Sequence, residues 1–131
     1  MTDVLEIKTS LRTYSDTDVF SFLYAILDGA SEALGLRRQD IDGTIYPQGS
    51  GQSPAFILYD NVPGGAGHVL RIHDHLKETF QIAYDRLYNC ECGIETSCYN
   101  CLRNYQNQYF HDILQRGSAI KNLGLIIKVN D

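Results

Sequence analysis

No stretch of this chain is apolar for the roughly 20 residues that a bilayer-spanning helix needs, so no membrane span is expected. The amino end, MTDVLEIKTS, lacks the basic start and apolar middle of a secretory signal. The expected compartment is therefore the reducing cytoplasm. A basic excess is missing too: 11 Lys and Arg stand against 16 Asp and Glu, a formal net charge of −5. That argues against a surface that binds nucleic acid all over, because phosphate is normally neutralised by Lys and Arg. Internal repeats, low-complexity tracts and linkers are absent, and 131 residues, 44% of them hydrophobic, suffice for one domain with its own core. Cysteine is absent everywhere except between residues 90 and 101.

The charge is unevenly spread. From Thr96 onward four basic residues (Arg103, Arg116, Lys121, Lys128) face two acids (Asp112, Asp131), so that tail is +2 and the remainder is −7. A mild excess of this kind is either solvated surface or the side of the molecule that meets DNA or RNA.

Hydrophobic periodicity outlines the elements. DVLEIK alternates, with Leu5 and Ile7 opposite Glu6 and Lys8, as a half-buried strand does. In SDTDVFSFLYAILDGASEALGL, Val19, Phe22, Leu23, Ile26, Ala30, Ala33 and Leu34 recur at helical spacing, and Phe20, Tyr24 and Leu27 widen the stripe, so this helix is expected to pack on more than one side. Ser15 with Asp18 resembles a capping box, and Gly35 is the expected stop. IDGTIYP and AFILYD read as strands joined by QGSGQS; the second is apolar for five residues, which places it mid-sheet with both faces covered. After NVPGGAG one long helix is expected to run to about Tyr88 and deliver the chain to Cys90. Beyond the cysteines, one or two shorter helices are expected, with Gly117 and Gly124 as breaks, and LIIKV as an edge strand or tail.

The four cysteines, Cys90, Cys92, Cys98 and Cys101, have the spacing C-x-C-x5-C-x2-C. Two close pairs on a short loop suit Zn2+, which takes tetrahedral thiolate ligation without directional demand. Gly93 permits a tight turn after the first pair, and the second pair is expected at the start of a helix. Disulfides fit poorly, since no secretory route is visible and a bridge across one residue is strained. An iron–sulfur cluster also takes four cysteines, although neither usual ferredoxin spacing occurs; thiol chemistry is the third reading. Four sulfurs fill a zinc shell, so such an ion is structural, and stripping it is expected to loosen the chain after Leu87.

YDNVPGGAGH joins a strand to a helix, where free amides can hold an anion. Gly64, Gly65, Gly67 and His68 are the candidates for that role. The loop lacks the Lys-Ser/Thr of a Walker A loop and does not fit G-x-G-x-x-G. The alternative is a tight turn in which Asp60 or Asn61 satisfies the exposed amides. His68, His73 and His75 contain no i, i+4 pair that would place two metal ligands on one helix face. RNYQNQYFHDILQR mixes amides, aromatics and arginines. Arg103, Asn107, Gln108, His111, Arg116 and Lys121 are candidate contacts to nucleic acid or a partner. The same run also offers Tyr105, Tyr109, Phe110, Ile113 and Leu114 as a core face over the cysteine loop, with His111 in a packing role beside it.

Together, TDVLEI, SFLYAILDGASEALGL, IDGTI, FILYDNVPGGAGHV and CECGIETSCYNCLRNYQNQYFHDILQR resemble the MrfA-type zinc-binding domain. That domain lies toward the carboxyl end of a group of superfamily 2 DNA helicases and occurs in the DrmB component of the DISARM anti-phage system. The resemblance runs over nearly the whole chain to about Gly117. Its most specific parts are YDNVPGGAGH and the cysteine quartet followed by NQ and H. It implies zinc on Cys90, Cys92, Cys98 and Cys101, and a place in a DNA-processing machine, in the repair helicases one that unwinds or translocates on DNA with ATP. The chain itself carries no GKT-type phosphate loop and no DEAH-like carboxylates.

The fold expected is α+β: a small sheet of three to four strands packed with two long helices, plus a C-terminal helical segment organised by a four-cysteine zinc site. Residues 1–131 form a single domain with the zinc loop at 90–101, belonging to a larger helicase-like protein or working beside a motor on another chain. The expected function is that of a non-enzymatic accessory domain in DNA repair or anti-phage defence. Its partners are a helicase motor domain and DNA, with no membrane. Two rivals are a hydrolase built on Asp60, the glycine loop and His68, and a zinc-stabilised assembly module without nucleic acid. The oligomeric state stays open.

Overall fold

The structure, a computed structural model, describes residues 4–8, 15–46, 55–61, 67–98, 101–102 and 105–130. Three strands, β1 (Val4–Lys8), β2 (Ile41–Tyr46) and β3 (Ala55–Asp60), form one antiparallel sheet in the order β1-β3-β2. Four helices accompany them: α1 (Asp16–Leu34), α2 (His68–Asp74), α3 (Leu76–Tyr88) and α4 (Arg116–Asn130). A 3₁₀ turn at Arg38–Asp40 and a 3₁₀ segment at Tyr105–Ile113 complete the described elements.

The apolar strand β3 takes the central place, as its composition predicts. Leu58 lies between Leu5 and Gly43, and Phe56 between Ile7 and Ile45, so one face of the sheet is a continuous apolar layer. Phe56 and Leu58 are fully buried, whereas Ile57 and Tyr59 on the opposite face are only half-buried. The expectation of two covered faces therefore holds for one face and half holds for the other. Gly43 is where α1 presses on the sheet: a Cβ there would lie 2.9 Å from both Leu23 Cδ1 and Leu58 Cδ2.

α1 is the centre of the molecule. Every residue from Ser21 to Ala30 is buried, because the helix packs against α3, α4 and β2 at once. Its start is capped by Ser15 Oγ, which accepts from the Asp18 amide at 3.2 Å. Its end is the left-handed Gly35, φ 66°, whose amide and that of Leu36 both donate to the Ser31 carbonyl. Asp28, buried on this helix, pairs with Arg38 at 3.0 Å, which satisfies a charge that could not stay alone in the core.

Two expectations are corrected. The single long helix after the glycine loop is two helices, broken at His75, whose φ −128° and ψ 33° are not helical. The break lets Val69 and Ile72 of α2 face β3 and β1 while Thr79, Ala83 and Leu87 of α3 face α1 and α4. LIIKV is neither strand nor tail but the end of α4, and Gly117 and Gly124 lie inside that helix. A helical glycine costs only about 1 kcal/mol relative to alanine, less than α4 gains by burying Ala119 and Leu123. Among the described residues no helix is long and apolar enough to cross a membrane.

Candidate metal centre

α3 ends at Tyr88, and its C-cap Asn89 hands the chain to Cys90. Leu87, 1% exposed, is the last residue anchored in the core, so the first cysteine follows a fixed point. The loop then returns: the amides of Cys101 and Leu102 both donate to the Cys98 carbonyl at 3.1 Å, closing the second pair into a turn. Cys101 and Leu102 are buried at 1% and 0% exposure. The second pair thus sits on a turn, not on the first turn of a helix; helical structure resumes at Tyr105 as a 3₁₀ segment with a kink at Asn107.

The four sulfurs converge. Cys90 Sγ lies 3.6 Å from Cys92 Sγ and 3.5 Å from Cys98 Sγ, while Cys101 Sγ lies 3.6 Å from Cys92 Sγ and 3.8 Å from Cys98 Sγ. All four lie within 4.8 Å of one another. A regular tetrahedron of sulfurs at the usual zinc bond length of about 2.3 Å has edges of about 3.8 Å, so the quartet has the size of a single-ion cage. The cysteines are free thiols, and a separation of 3.5 Å is far from a bonded pair. A multi-iron cluster would hold its sulfurs much wider apart, which leaves mononuclear binding as the reading that fits.

The electrostatics favour a cation. Burial pushes Cys92 and Cys101 up, and neighbouring sulfurs add to it. For Cys90 burial also raises the thiol, but hydrogen bonds from the Cys92 backbone and from the other three sulfurs outweigh it and bring the group down to about 7. Packed this closely, the sulfurs cannot all ionise against one another's charge; a divalent ion at their centre removes that penalty.

The other residues singled out from sequence fall into different places. Gly67 adopts φ 76°, and its amide donates to Asp60 Oδ2 at 2.9 Å, while the Val69 amide donates to Asp60 Oδ1 at 3.1 Å. The chain's own Asp60 carboxylate thus meets the amides at this helix start, the arrangement of the tight-turn alternative. His68 is half-buried with Nδ1 enclosed and unbonded. Gly64 and Gly65 lie outside the described residues.

Of the candidate nucleic-acid or partner contacts, Asn107 is fully buried. Its Nδ2 donates to the Leu102 carbonyl at 2.7 Å and its Oδ1 meets His111 Nε2 at 2.9 Å. That pair braces the chain just after the last cysteine. Arg116 is turned inward: Nε donates to the Cys92 carbonyl at 3.1 Å and Nη1 to the Leu87 carbonyl at 2.8 Å. Gln108 and Lys121 are exposed, and Arg103 lies outside the described residues. Phe110 stacks on Phe20 at 4.4 Å, and Leu114 is 1% exposed, in line with the core-face reading. The side chains of Tyr105 and Tyr109 are not described. Sequence reasoning missed two buried hydroxyl contacts to α1: Ser21 Oγ accepts the Gln115 amide at 2.9 Å, and Ser118 Oγ donates to Asp18. A serine in the middle of an apolar helical stripe was the available signal for the first.

The MrfA zinc-binding domain family matches residues 22–102, ending one residue past the last cysteine. The Druantia protein DruE of Escherichia coli (strain UMEA 4076-1) is 29% identical to the chain over 81% of its length, while the chain spans 6% of that protein. A crystal structure of the DUF1998 helicase MrfA bound to DNA and AMPPNP superposes with a TM-score of 0.66 over 93% of the chain at 14% identity. A second MrfA structure, bound to DNA, gives 0.60 over 98% at 17%. The chain spans 15% and 16% of those helicase chains. At such identities the superposition shows a shared fold, and the family match, over more than half of the chain, shows the rest: this chain belongs to the MrfA zinc-binding domain family.

Proposed function

We propose that this chain is the zinc-binding accessory domain of a larger DNA-processing helicase or anti-phage protein. In it Cys90, Cys92, Cys98 and Cys101 ligate one Zn2+, and the domain contributes scaffold instead of catalysis. The observation that carries this reading is the convergence of four sulfurs to within 4.8 Å of one another in a chain of a zinc-binding family. The ion, when bound, supplies charge compensation and a fixed loop geometry, since four thiolates leave no position for an activated water. The residues around it act mechanically: Asn107 and His111 brace the chain after Cys101, and α1 holds the segment that follows.

The superposable helicase structures hold DNA, which supports a motor as partner and DNA as a nearby ligand. Arg103, Gln108, His111 and Lys121 are the residues proposed to meet DNA or the motor. Native mass spectrometry of the purified chain is expected to show one zinc per chain; a folded, metal-free chain would sink the assignment. Titration with single-stranded DNA at low and raised salt separates the two scaffold roles. Binding that weakens with salt supports DNA guidance, whereas no binding at low salt, with complex formation on adding the motor, supports docking alone.

A further inference from the structure

The first two residues of α4 make four hydrogen bonds, three into the cysteine loop and one to the end of α3. The Arg116 amide donates to the Thr96 carbonyl at 2.8 Å and the Gly117 amide to the Ile94 carbonyl at 2.9 Å. The Arg116 guanidinium donates to the Cys92 carbonyl at 3.1 Å and the Leu87 carbonyl at 2.8 Å. The acceptors divide into two sets. Leu87 and Cys92 are the stem of the loop, at the end of α3 and in the first cysteine pair. Ile94 and Thr96 are its tip, between the two pairs. A helix start has amides without partners in their own helix, and here those of Arg116 and Gly117 are met by carbonyls of the loop tip. The guanidinium fork is the group that can bridge two carbonyls at once.

Contact at this point is close enough to exclude a side chain. A Cβ on Gly117 would fall 2.1 Å from Ile94 Cγ2 and 3.0 Å from the Ile94 carbonyl oxygen. Gly117 is therefore a docking point for the loop, and Ile94, 63% exposed in spite of this contact, is held mainly through its backbone. Immediately after the clamp, Ser118 Oγ donates to Asp18 near the start of α1, so the clamp is anchored to the central helix.

We infer that Arg116 and Gly117 form a clamp that sets how tightly the four-cysteine loop retains its metal and that transmits metal occupancy to the first turn of α4. Neither residue touches the metal; both position the loop that does. The inference rests on the reading of the quartet as a zinc site.

The test uses the zinc-loaded 131-residue chain. Zinc release to a chromogenic chelator is measured for the wild type, Arg116→Ala, Arg116→Lys and Lys77→Ala. Arg116→Ala is expected to release zinc roughly ten- to a hundredfold faster, the scale seen when groups that orient metal ligands are removed. Arg116→Lys keeps the charge but presents one nitrogen in place of the two that reach the separate carbonyls, so it falls between the two. Lys77→Ala, an equal charge change on the exposed side of α3, matches the wild type. Hydrogen exchange of the wild type with and without chelator needs no variant to fold. The Arg116 and Gly117 amides are expected to lose protection when metal leaves, while the amides of β3 keep theirs. Equal release rates for Arg116→Ala and the wild type, or unchanged exchange at residues 116 and 117, overturn the clamp and leave the zinc site standing. A wild type that binds no zinc overturns both.

Discussion

Gly29→Ala tests how the metal loop is delivered. Gly29 lies on α1 where α3 crosses it, and a Cβ there would sit 2.7 Å from Ala83 Cβ, 2.9 Å from the Thr79 carbonyl oxygen and 3.0 Å from Ala83 Cα. Two of the three are backbone atoms, which cannot swing aside. Alanine is a better helix former than glycine by about 1 kcal/mol, so the substitution would stabilise an isolated α1. In the folded chain, ordinary contact at about 3.5 to 4.0 Å requires the helices to part by about 1 Å. Overpacking of this kind typically costs about 1 to 3 kcal/mol, and contact with two rigid atoms places it at the upper end. The net loss is about 2 kcal/mol, which for a chain of this length lowers the melting temperature by roughly 7 °C. Thermal denaturation of the zinc-loaded variant by circular dichroism reads it. Adding Ala83→Gly removes the nearest contact and is expected to restore part of the loss. A variant melting at or above the wild-type temperature would refute the reasoning, because it would mean that α1 and α3 do not approach this closely.

Cys98→Ser is expected to abolish zinc retention and lower the melting temperature. Disorder should appear in residues 90–102 and the first turn of α4, while Leu123 stays docked; a zinc-loaded variant of unchanged stability would contradict this. Tyr24 is raised to about 12, first by burial and then by Asp42, against the lowering effect of Arg38. A tyrosine whose folded value exceeds its unfolded value of about 10 contributes stability below pH 10 that is lost as the pH rises toward 12. Denaturation midpoints of the wild type are therefore expected to fall more steeply over that window than those of Tyr24→Phe, and parallel curves would discard the assignment. Asp60→Ala leaves the Gly67 and Val69 amides without their acceptor; a loss of about 2 kcal/mol in urea denaturation is expected, and an unchanged midpoint would show that the cap is dispensable.

Much of the architecture was legible because it depends on period and punctuation. α1 begins at Asp16 after Ser15 and ends before Gly35, and five apolar residues put β3 in the middle of the sheet. The cysteine spacing pointed to a cage because two close pairs on one short loop suit a tetrahedral thiolate site, while an iron–sulfur cluster and thiol chemistry stayed open until the sulfur separations were known. What was not legible depends on long-range contact. The break at His75 has no glycine or proline to mark it; it exists because α2 and α3 serve different neighbours. Gly117 reads as a helix breaker, but its meaning comes from Ile94, 23 positions away in the chain. Arg116 and Asn107 carry polar groups that look like ligand contacts in sequence, and only the fold shows that those groups face inward to carbonyls of the cysteine loop and its exit.

The inward turn of Arg116 also changes the electrostatic case for DNA. Residues 96–131 carry +2, but counted from Cys90 the chain adds Glu91 and Glu95, so four basic residues face four acidic ones. A zinc ion with four thiolates contributes a further charge of about −2, and one of the four cations, Arg116, is engaged on the carbonyls of Leu87 and Cys92. The carboxyl-terminal third is therefore mildly acidic when loaded, not basic. Each phosphate neutralised on a single strand contributes about 0.7 to the slope of log affinity against log salt. With Arg103, Lys121 and Lys128 the other cations after Cys90, DNA held by this third of the chain is expected to show a slope of about 2 at most. A steeper dependence would require a basic surface that this charge distribution does not provide. A shallow one favours the motor as the principal partner, with DNA held by the assembly and not by this domain alone.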